Sequence, residues 1–415
     1  MKVFLFNQYA GNKGDRAVLY ALCFLIGKVV PKPEIVVSTS DPDLWRDAEF
    51  PLDIKIRFVP SAWDYNQVGR SIFRIYWLLL RRVKKYTFTV LREMLLRHWH
   101  GGSRFFCNPL FFEKLKESDI AVSVGGHHFT TLLSRDLVSS INFDAMCVFD
   151  SRKRYVMFSQ SFGPFLFCKN RNKKITRMIL DQSSGLYARE ESSIEALKEF
   201  GINERMIRST WETVLSLNHL FPERTPVADR HPRIGISIYS AQKRPREDLE
   251  AYCGIFAGFV LSAISQGFQV VFFPMELKDS APDDRPCIKK IMDMAGNPPQ
   301  CIMRDEDLPS FRHLKEISQC RYFVGHKTHS TIFALLTGTP LIGICYHPKT
   351  RAFMKQFGVE KFAVDDCDLT LPLLKTRWEE LKEAAEDISS HCFSQAAKMA
   401  GELEEQMREI LAQEK

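Results

Sequence analysis

The sequence has no cysteine pair at C-x-x-C spacing, no Cys/His cluster at zinc-ligand spacing, and no repeated or low-complexity segment. Its eleven cysteines are scattered from Cys23 to Cys392, which is typical of reduced, buried thiols and argues against a disulfide framework. The missing repeat excludes a solenoid. Hydrophobic residues make up 45% and charged residues 26% of the chain, the composition of a soluble globular protein. We therefore expect a folded cytoplasmic protein.

Long apolar runs are scarce. The run from Met1 to Asn7 is too short for a signal peptide and predicts a first strand. The stretch from Ala251 to Met275 carries no charge, and its length alone would permit a membrane span. Polar residues interrupt its middle, however, and Gly267 stands where a helix C-cap belongs. We predict a buried helix that ends near Gln266, followed by a strand over Phe268–Phe273.

A length of 415 residues exceeds what one hydrophobic core supports, so two domains are expected. The polar, proline-bearing segment 221–233 (FPERTPVADRHPR) is typical of a linker. The sequence thus predicts an N-terminal domain over 1–220, a C-terminal domain over 234–375 and C-terminal helices over 376–415.

In both halves, short apolar runs alternate with helical patterns, which predicts parallel sheets and an α/β fold. Strands are predicted at Val3–Phe6, Ile35–Ser38, Ile54–Val59, Ile120–Val124, Arg154–Phe158, Gly185–Ala188, Ile234–Ile238, Phe268–Phe273, Arg321–Val324 and Leu341–Tyr346. Two such halves predict a pair of Rossmann-like domains facing a cleft. Ligands of these sheets bind outside the carboxyl ends of the strands.

Positive charge is unevenly distributed. The net charge is +7; residues 51–100 hold ten Lys/Arg against three Asp/Glu, and residues 152–177 hold eight Lys/Arg and no carboxylate. Such patches favour anionic partners such as phosphates or lipid head groups. Nucleic acid is disfavoured as a partner because no nucleic-acid-binding motif accompanies the charge.

The most informative stretch is 317–353 (ISQCRYFVGHKTHSTIFALLTGTPLIGICYHPKTRAF). A predicted strand runs into the loop His326-Lys327-Thr328-His329, and a short helix begins at about Ser330, with Gly338 as its cap. The free N–H groups and positive dipole end of this helix would face the ligand edge of the sheet. Alternatively, His329 only caps the helix and Lys327 is a solvated loop lysine. In this context, with Lys349 nearby, we favour an anion site.

This stretch resembles a hallmark of the polysaccharide pyruvyl transferases, the pattern strand–S-x-R-L-H–helix–G-x-P–strand–Y-x-x-K. Further family motifs follow in the family's order, and the similarity covers roughly residues 5 to 355. They are Gly11-Asn12-Lys13-Gly14-Asp15 (G-N-x-G-D), Gly125-Gly126 (a glycine loop), Gln160 with Gly163-Pro164 (G-Q-x-x-G-P) and Ala188-Arg189-Glu190 (R-E-x-x-S). Two positions depart from the pattern: Lys327 replaces an arginine, and Trp211-Glu212 stands where many members have an aspartate.

The resemblance implies a two-domain, GT-B-like fold and an enzyme that transfers pyruvate from phosphoenolpyruvate to a sugar. The acceptor would belong to a surface polysaccharide or its lipid-linked precursor, and the product would be a ketal. Phosphoenolpyruvate is a co-substrate, and neither a metal nor a redox cofactor is needed.

Residue roles follow from the same resemblance. His329 matches the catalytic histidine and would donate a proton. The phosphate and carboxylate of the donor would be bound by Arg189, Lys327, Lys349, Ser330 and Thr331. We expect the base to come from the N-terminal domain, with Asp15 as the first candidate and His127 and His128 behind it; Asp15 can equally be a helix N-cap. The acceptor-side loops would be formed by Gly11, Asn12, Gly14, Gly125, Gly126, His127, His128 and Gln160.

The segment 70–100 mixes eight Lys/Arg with many large apolar residues. Such a surface would suit peripheral contact with the inner face of the plasma membrane and a lipid-linked acceptor; the alternative is an ordinary pair of helices that pack inward. For the whole chain, two rival functions stay open. One is a nucleotide-sugar glycosyltransferase with the same architecture, and the other is a catalytically degenerate binding member of the family.

Overall fold

A computed structural model describes residues 1–8, 13–39, 45, 54–62, 107–132, 140–168, 170–239, 246–277 and 283–413. We number the elements of these residues in chain order. The strands are β1 (Lys2–Gln8), β2 (Glu34–Thr39), β3 (Lys55–Pro60), β4 (Ile120–Ser123), β5 (Gly126–Phe129), β6 (Tyr155–Phe162), β7 (Leu186–Ala188), β8 (Ile207–Ser209), β9 (His231–Ser237), β10 (Gln269–Phe272), β11 (Cys301–Met303), β12 (Cys320–Gly325), β13 (Leu341–Cys345) and β14 (Ala363–Asp365). The α-helices are α1 (Lys13–Val29), α2 (Pro109–Glu117), α3 (Ser140–Asp150), α4 (Asn170–Asp181), α5 (Glu191–Glu199), α6 (Arg246–Ser265), α7 (Arg285–Met294), α8 (Ser310–Ser318), α9 (Thr328–Leu336), α10 (Pro348–Gln356), α11 (Leu371–Glu383) and α12 (Ala385–Ala412).

The chain forms two compact units. Unit 1 comprises Met1–Ala10, Leu22–Thr213 and Leu403–Lys415, and unit 2 comprises Gly11–Ala21 and Val214–Glu402. The chain passes from unit 1 to unit 2 after Thr213, shortly before residue 220, where we predicted the end of the N-terminal domain. Two segments depart from a linear division, because Gly11–Ala21 belongs to unit 2 and the end of α12 belongs to unit 1.

Unit 1 contains an eight-stranded parallel sheet in the order β3-β2-β1-β4-β6-β7-β8, with β5 paired to β6. The strands β1 and β4 lie in its centre, and Val3–Phe6 and Ile120–Val122 are buried. Parallel strands covered on both faces must be apolar on both faces, which is why they are continuous apolar runs in the sequence.

Unit 2 contains a six-stranded parallel sheet in the order β11-β10-β9-β12-β13-β14. The strand that comes first in the chain, β9, lies in the centre of this sheet. The strand order reverses between β9 and β12, as in a doubly wound Rossmann fold. Both predicted parallel sheets are therefore confirmed. Two short segments differ from their prediction, since Gly126–Phe129 and the part of β6 beyond Phe158 are strands rather than loops.

The uncharged stretch from Ala251 to Met275 forms most of α6 and the whole of β10, as predicted. The helix ends at Ser265, Gly267 takes a positive φ of 84°, and β10 begins at Gln269 between β9 and β11. By length and composition alone, Asp248–Ser265 is a helix that can cross a membrane, with 39% of that window buried within the fold. A single such helix is weak evidence for a membrane span, because core helices of soluble proteins pass the same test.

Candidate active site

The carboxyl edge of the six-stranded sheet carries the candidate site. The strand order reverses between β9 and β12, and loops that leave two strands at such a point diverge and leave room for a ligand. Tyr239 follows β9, and His326 and Lys327 follow β12. The Tyr239 ring stacks on the ring of Tyr346, which follows β13, with 4.3 Å between centroids. Aromatic and cationic side chains therefore gather at the ligand edge of unit 2.

His329 lies in the first turn of α9, which follows the N-cap residue Lys327. The predicted strand and helix are confirmed, but the loop is shorter than predicted, because the helix begins at Thr328 rather than Ser330. The imidazole rests against Gly14 of α1: a Cβ added to Gly14 would lie 2.3 Å from Nδ1 and 2.4 Å from Cγ of His329. Glycine at position 14 therefore makes room for the histidine. In the sequence analysis it was assigned to an acceptor-side loop instead.

Asp15 lies next to Gly14 in the first turn of α1. We had expected this carboxylate to act from the N-terminal domain, but the segment Gly11–Ala21 belongs to unit 2, as His329 does. The candidate acid and the candidate base are thus carried by the N-terminal turns of two helices of one unit. The role of Asp15 as a base stays a prediction.

Lys327 is a buried cation with carboxylate partners. Its side chain is 8% exposed, and its Nζ lies 3.2 Å from Glu276 Oε1 and 3.6 Å from Asp284 Oδ1. The same Nζ lies 4.7 Å from the centroid of the Tyr239 ring. The predicted anion-binding lysine therefore reaches the ligand edge of the sheet, where residues of its own chain balance its charge. This differs from the exposed loop lysine that we considered as the alternative.

The hydroxyl groups of Ser330 and Thr331 are buried and serve the fold. Ser330 Oγ donates to Lys327 O at 2.7 Å and lies 2.5 Å from Ser237 Oγ of β9. Thr331 Oγ1 lies 3.4 Å from Gly325 O, to which it donates. These contacts fasten α9 to β9 and β12. Direct binding of the donor by these two side chains, as the sequence predicted, would require breaking them.

Lys349 lies in the first turn of α10, and its backbone N–H donates to His347 Nδ1 at 3.2 Å. The helices α9 and α10 are joined at their N-terminal turns by the pair Thr328 Oγ1 and Thr350 Oγ1, 2.8 Å apart. The N-terminal turns of α9 and α10 are therefore neighbours. Their first N–H groups have no partner inside their own helix, which favours an anion at this place.

His326 is a buried residue of the site that sequence reasoning passed over. Its Nδ1 lies 2.8 Å from Tyr252 Oη, and its Nε2 lies 3.1 Å from Asp366 Oδ1. Its backbone N–H donates to Ser237 O at 3.2 Å. These contacts connect β12 to α6 and to the segment after β14, so His326 supports the loop that carries Lys327.

Lys13 is a second buried cation of unit 2. Its Nζ donates to Glu306 O at 3.2 Å, and its backbone N–H donates to Met275 O at 3.1 Å. Burial lowers the pKa of Lys13 from its usual value near 10.5 to about 8. This lysine precedes the glycine that contacts His329. The glycine motif drew attention to residues 11, 12, 14 and 15, and spacing alone gave no reason to single out Lys13, Glu276 or Asp284.

Arg189, predicted to bind the donor, belongs to unit 1 and is held in a buried polar cluster. Its guanidinium forms an ion pair with Glu212 and lies 3.5 Å from Glu190 Oε1, and Arg189 Nε donates to Ser161 Oγ at 2.9 Å. Glu212 is the position where the sequence departs from the family pattern. The departure therefore provides the carboxylate that balances Arg189.

The other predicted loop residues of unit 1 lie in or beside strands. Gln160 is fully buried within β6, and its Nε2 donates to Ser123 Oγ at 2.9 Å, so the predicted acceptor-side loop at this residue is wrong. Gly125 precedes β5, and a Cβ on Gly126 would lie 2.3 Å from His128 Nε2. His127 Nε2 lies 2.8 Å from Gly163 O. The side chains of His127 and His128 are half-buried.

Three predictions fall outside the residues that the structure describes: Gly11, Asn12 and the basic segment 70–100. Among the described residues, no group of three or more His, Cys, Asp or Glu side chains is arranged to hold a metal ion.

The sequence of this chain matches a known protein family. The sequence profile of the family described as polysaccharide pyruvyl transferase matches residues 12–348. The amylovoran biosynthesis protein AmsJ of Erwinia amylovora is 24% identical over 395 residues, which cover 88% of this chain and 88% of AmsJ.

Solved structures extend the comparison of the fold. The UDP-GlcNAc 2-epimerase of Neisseria meningitidis, bound to UDP-GlcNAc, has a TM-score of 0.56 at 12% identity and covers 97% of this chain and 99% of its own. Anabaena HepE in complex with UDP and glucose has a TM-score of 0.54 at 13% identity, over 99% of both chains. At this identity the likeness concerns the fold alone, and it confirms the predicted two-domain, GT-B-like α/β class.

Proposed function

The chain belongs to the polysaccharide pyruvyl transferase family, and on that basis we propose that it transfers pyruvate from phosphoenolpyruvate to two hydroxyl groups of a sugar. The product is a ketal on a surface polysaccharide or its lipid-linked precursor. The similarity to a protein named for amylovoran biosynthesis supports an exopolysaccharide as the destination.

The observation that carries this proposal is the position of His329. Its imidazole lies in the N-terminal turn of α9 at the carboxyl edge of a doubly wound sheet, against Gly14 of a distant sequence motif. Two of the motifs that resemble the family thus contact each other at the place where such sheets bind ligands. His329 is not the cap of this helix, because the N-cap residue is Lys327.

The first chemical step requires a proton at the methylene carbon of phosphoenolpyruvate. His329, in its protonated form, donates this proton to C3, and C2 becomes electrophilic as the C2–C3 double bond is consumed. A sugar hydroxyl attacks C2 and loses its own proton to a base, for which Asp15 is our first candidate.

Ring closure completes the transfer. The bond between C2 and the phosphate oxygen breaks, inorganic phosphate leaves, and a second hydroxyl of the same sugar adds to C2. Two hydroxyl protons are released for each ketal; one balances the proton gained by C3 and the other leaves on phosphate. The residues of the site need only to hold the anionic donor and move protons.

Binding of the donor falls to cations and N–H groups around α9. Phosphoenolpyruvate carries a phosphate and a carboxylate, and Lys327, Lys349 and the N-terminal turns of α9 and α10 surround the same edge of the sheet. Lysine at position 327 offers a point charge rather than the two-pronged contact of arginine. We therefore expect the donor to be held by several weak contacts rather than by one bidentate pair.

The cellular setting is part of the proposal. All eleven cysteines are free thiols, which supports a cytoplasmic location. A lipid-linked acceptor would be reached at the inner face of the plasma membrane, with the segment 70–100 as the proposed peripheral contact.

Mass spectrometry of candidate acceptor sugars incubated with the protein and phosphoenolpyruvate tests the reaction, since a ketal adds the mass of pyruvate less one water. We predict that His329→Ala abolishes this product while thermal unfolding and stabilisation by phosphoenolpyruvate are retained. The matched control is His391→Ala, an exposed histidine of unit 2 whose Nε2 lies 3.0 Å from Phe357 O. Full activity of His329→Ala would remove this residue from the mechanism.

The donor is tested separately by thermal stabilisation. Phosphoenolpyruvate should raise the unfolding temperature of the wild-type protein, and UDP-sugars should not. The reverse result would favour the nucleotide-sugar glycosyltransferase. Stabilisation by phosphoenolpyruvate without phosphate release, across a panel of acceptors, would favour a degenerate binding protein.

A further inference from the structure

The ammonium group of Lys327 is surrounded by two carboxylates and an aromatic ring of its own chain, and its side chain is only 8% exposed. A lysine ammonium has three N–H donors. Glu276 Oε1 lies 3.2 Å from Nζ, Asp284 Oδ1 lies 3.6 Å from it, and the Tyr239 ring covers it at 4.7 Å. Because so little of the Lys327 side chain is exposed, a phosphate or carboxylate of a donor competes with these groups for Nζ.

The two carboxylates differ in how firmly they are held. Asp284 is fully buried, and its other oxygen, Oδ2, accepts from the backbone N–H groups of Met275 at 2.9 Å and Glu276 at 3.0 Å. Moving Asp284 would leave two buried N–H groups without acceptors, which is costly. The side chain of Glu276, by contrast, is 19% exposed, whereas that of Asp284 is not exposed at all.

We propose that Glu276 occupies the anion position on Lys327 and is displaced by the donor, so that it determines which anions enter the site. The inference rests on the proposed function and deepens it. A dianionic phosphate binds an ammonium more strongly than a carboxylate does and displaces Glu276. A singly charged carboxylate gains nothing by the exchange. Glu276 thus selects for phosphorylated donors, and Asp284 keeps Lys327 in place during the exchange.

Binding of phosphoenolpyruvate and of inorganic phosphate to the wild-type protein and to Glu276→Gln, measured by titration calorimetry at neutral pH, tests the proposal. Glutamine keeps the size of the side chain and removes its charge. Because a charge within about 4 Å of the ligand is removed, both ligands should bind on the order of tenfold more tightly to Glu276→Gln. Glu276→Asp, whose carboxylate is withdrawn by one methylene, should give a smaller gain in the same direction.

Two controls separate this effect from a general change in charge. Glu360→Gln removes the same charge from a pair with Arg351, 3.5 Å apart and 43% exposed at the glutamate, and should leave both affinities unchanged. When Lys327 is replaced by methionine, Glu276→Gln should no longer tighten binding, because Glu276 acts through Lys327. The double variant Glu276→Gln/Lys327→Met should therefore bind both ligands as Lys327→Met does.

The outcomes distinguish the two levels of the proposal. Unchanged or weaker binding of both ligands by Glu276→Gln overturns the competition, since Glu276 would then only hold Lys327 in position. Tighter binding of inorganic phosphate, with phosphoenolpyruvate bound by neither protein, leaves the competition standing and removes the proposed donor. Tighter binding of both ligands by Glu276→Gln supports the competition at Lys327 and also phosphoenolpyruvate as the donor.

Discussion

At the scale of a residue, Lys13 is a charged side chain in the interior of unit 2. It precedes Gly14, and Glu306 O accepts from its ammonium at 3.2 Å. Burial favours the neutral amine, which is the physical cause of its low pKa of about 8. A charge kept in such a place costs free energy of folding, and such costs are found most often at functional sites.

We predict that Lys13→Met stabilises the protein at pH 7 and lowers its transferase activity. The folded state has the lower pKa, so between about pH 8 and 10.5 the unfolded chain binds more protons, and the stability of the wild-type protein rises with pH. Methionine removes the charge, and the free energy of unfolding should rise by up to about 3 kcal/mol at pH 7. The gain should shrink toward pH 10. Denaturant unfolding at several pH values measures the gain in stability and its dependence on pH, and phosphate release with an active acceptor measures the activity.

Lys28→Met is the matched control for Lys13→Met. Lys28 belongs to the same helix, but it is exposed and pairs with Glu404 at 3.3 Å. Its replacement should change the free energy of unfolding by no more than about 0.5 kcal/mol. A stability gain in Lys13→Met that does not depend on pH would contradict our account of the buried charge.

At the scale of elements, the site depends on the close approach of two helix N-termini. The turn of α1 that contains Gly14 touches the turn of α9 that contains His329, at the level of the histidine Cβ and ring. The atoms nearest to an added methyl group are Nδ1, Cγ and Cβ of His329. Because these atoms lie near the start of the side chain, rotation of the ring alone cannot make room.

Gly14→Ala should therefore displace the imidazole and lower kcat by about 100-fold, with a much smaller change in the KM for phosphoenolpyruvate. Steady-state phosphate release with an active acceptor measures both constants. Gly401→Ala is the control, because Gly401 is also helical and, within the part of the chain that the structure describes, an added Cβ there meets no atom within 4 Å outside the backbone of its own helix and its chain neighbours. That variant should keep full activity and gain slightly in stability. Unaltered kcat in Gly14→Ala would show that the histidine position is not critical.

At the scale of the whole molecule, the chain does not divide into two consecutive domains. The last residues of α12 return to unit 1, where Arg154 Nη2 donates to Ile410 O at 2.8 Å and Thr210 Oγ1 donates to Gln406 Oε1 at 2.6 Å. Four side chains of this segment are buried, namely Leu403, Met407, Ile410 and Leu411. Unit 1 thus depends on residues that are distant from it in sequence.

A chain that ends at Glu402 should lose much of the stability of unit 1. Each buried aliphatic side chain contributes roughly 1.5–3 kcal/mol, so the loss amounts to several kcal/mol. Differential scanning calorimetry should show a transition at lower temperature for the truncated chain, accompanied by one close to the wild-type temperature from unit 2. A chain that ends at Gln413 keeps these contacts and should unfold like the wild-type protein. A single unshifted transition in the shorter chain would contradict this.

Much of the fold and part of the site could be predicted from the sequence. The strands that were predicted as apolar runs are present, because a strand buried on both faces has to be apolar throughout. The segment with Lys327 and His329 was found because it follows a strand and begins a short helix, after which Gly338 takes a positive φ of 62°. Gln160 was assigned to a loop because its motif follows a strand predicted to end at Phe158, whereas the strand continues to Phe162 and Ser123 Oγ accepts from the Gln160 side chain.

The sequence by itself thus determined the elements, the parallel sheets and the residue types of the site, because periodicity, caps and turns are local properties of the chain. Only the tertiary structure decided which residues contact each other. These are Glu276 and Asp284 with Lys327, Glu212 with Arg189, and Gly14 with His329. Most of these partners lie on separate segments between strands and helices, and the spacing of residues along the chain carries no information about contacts that form when sheets and helices pack.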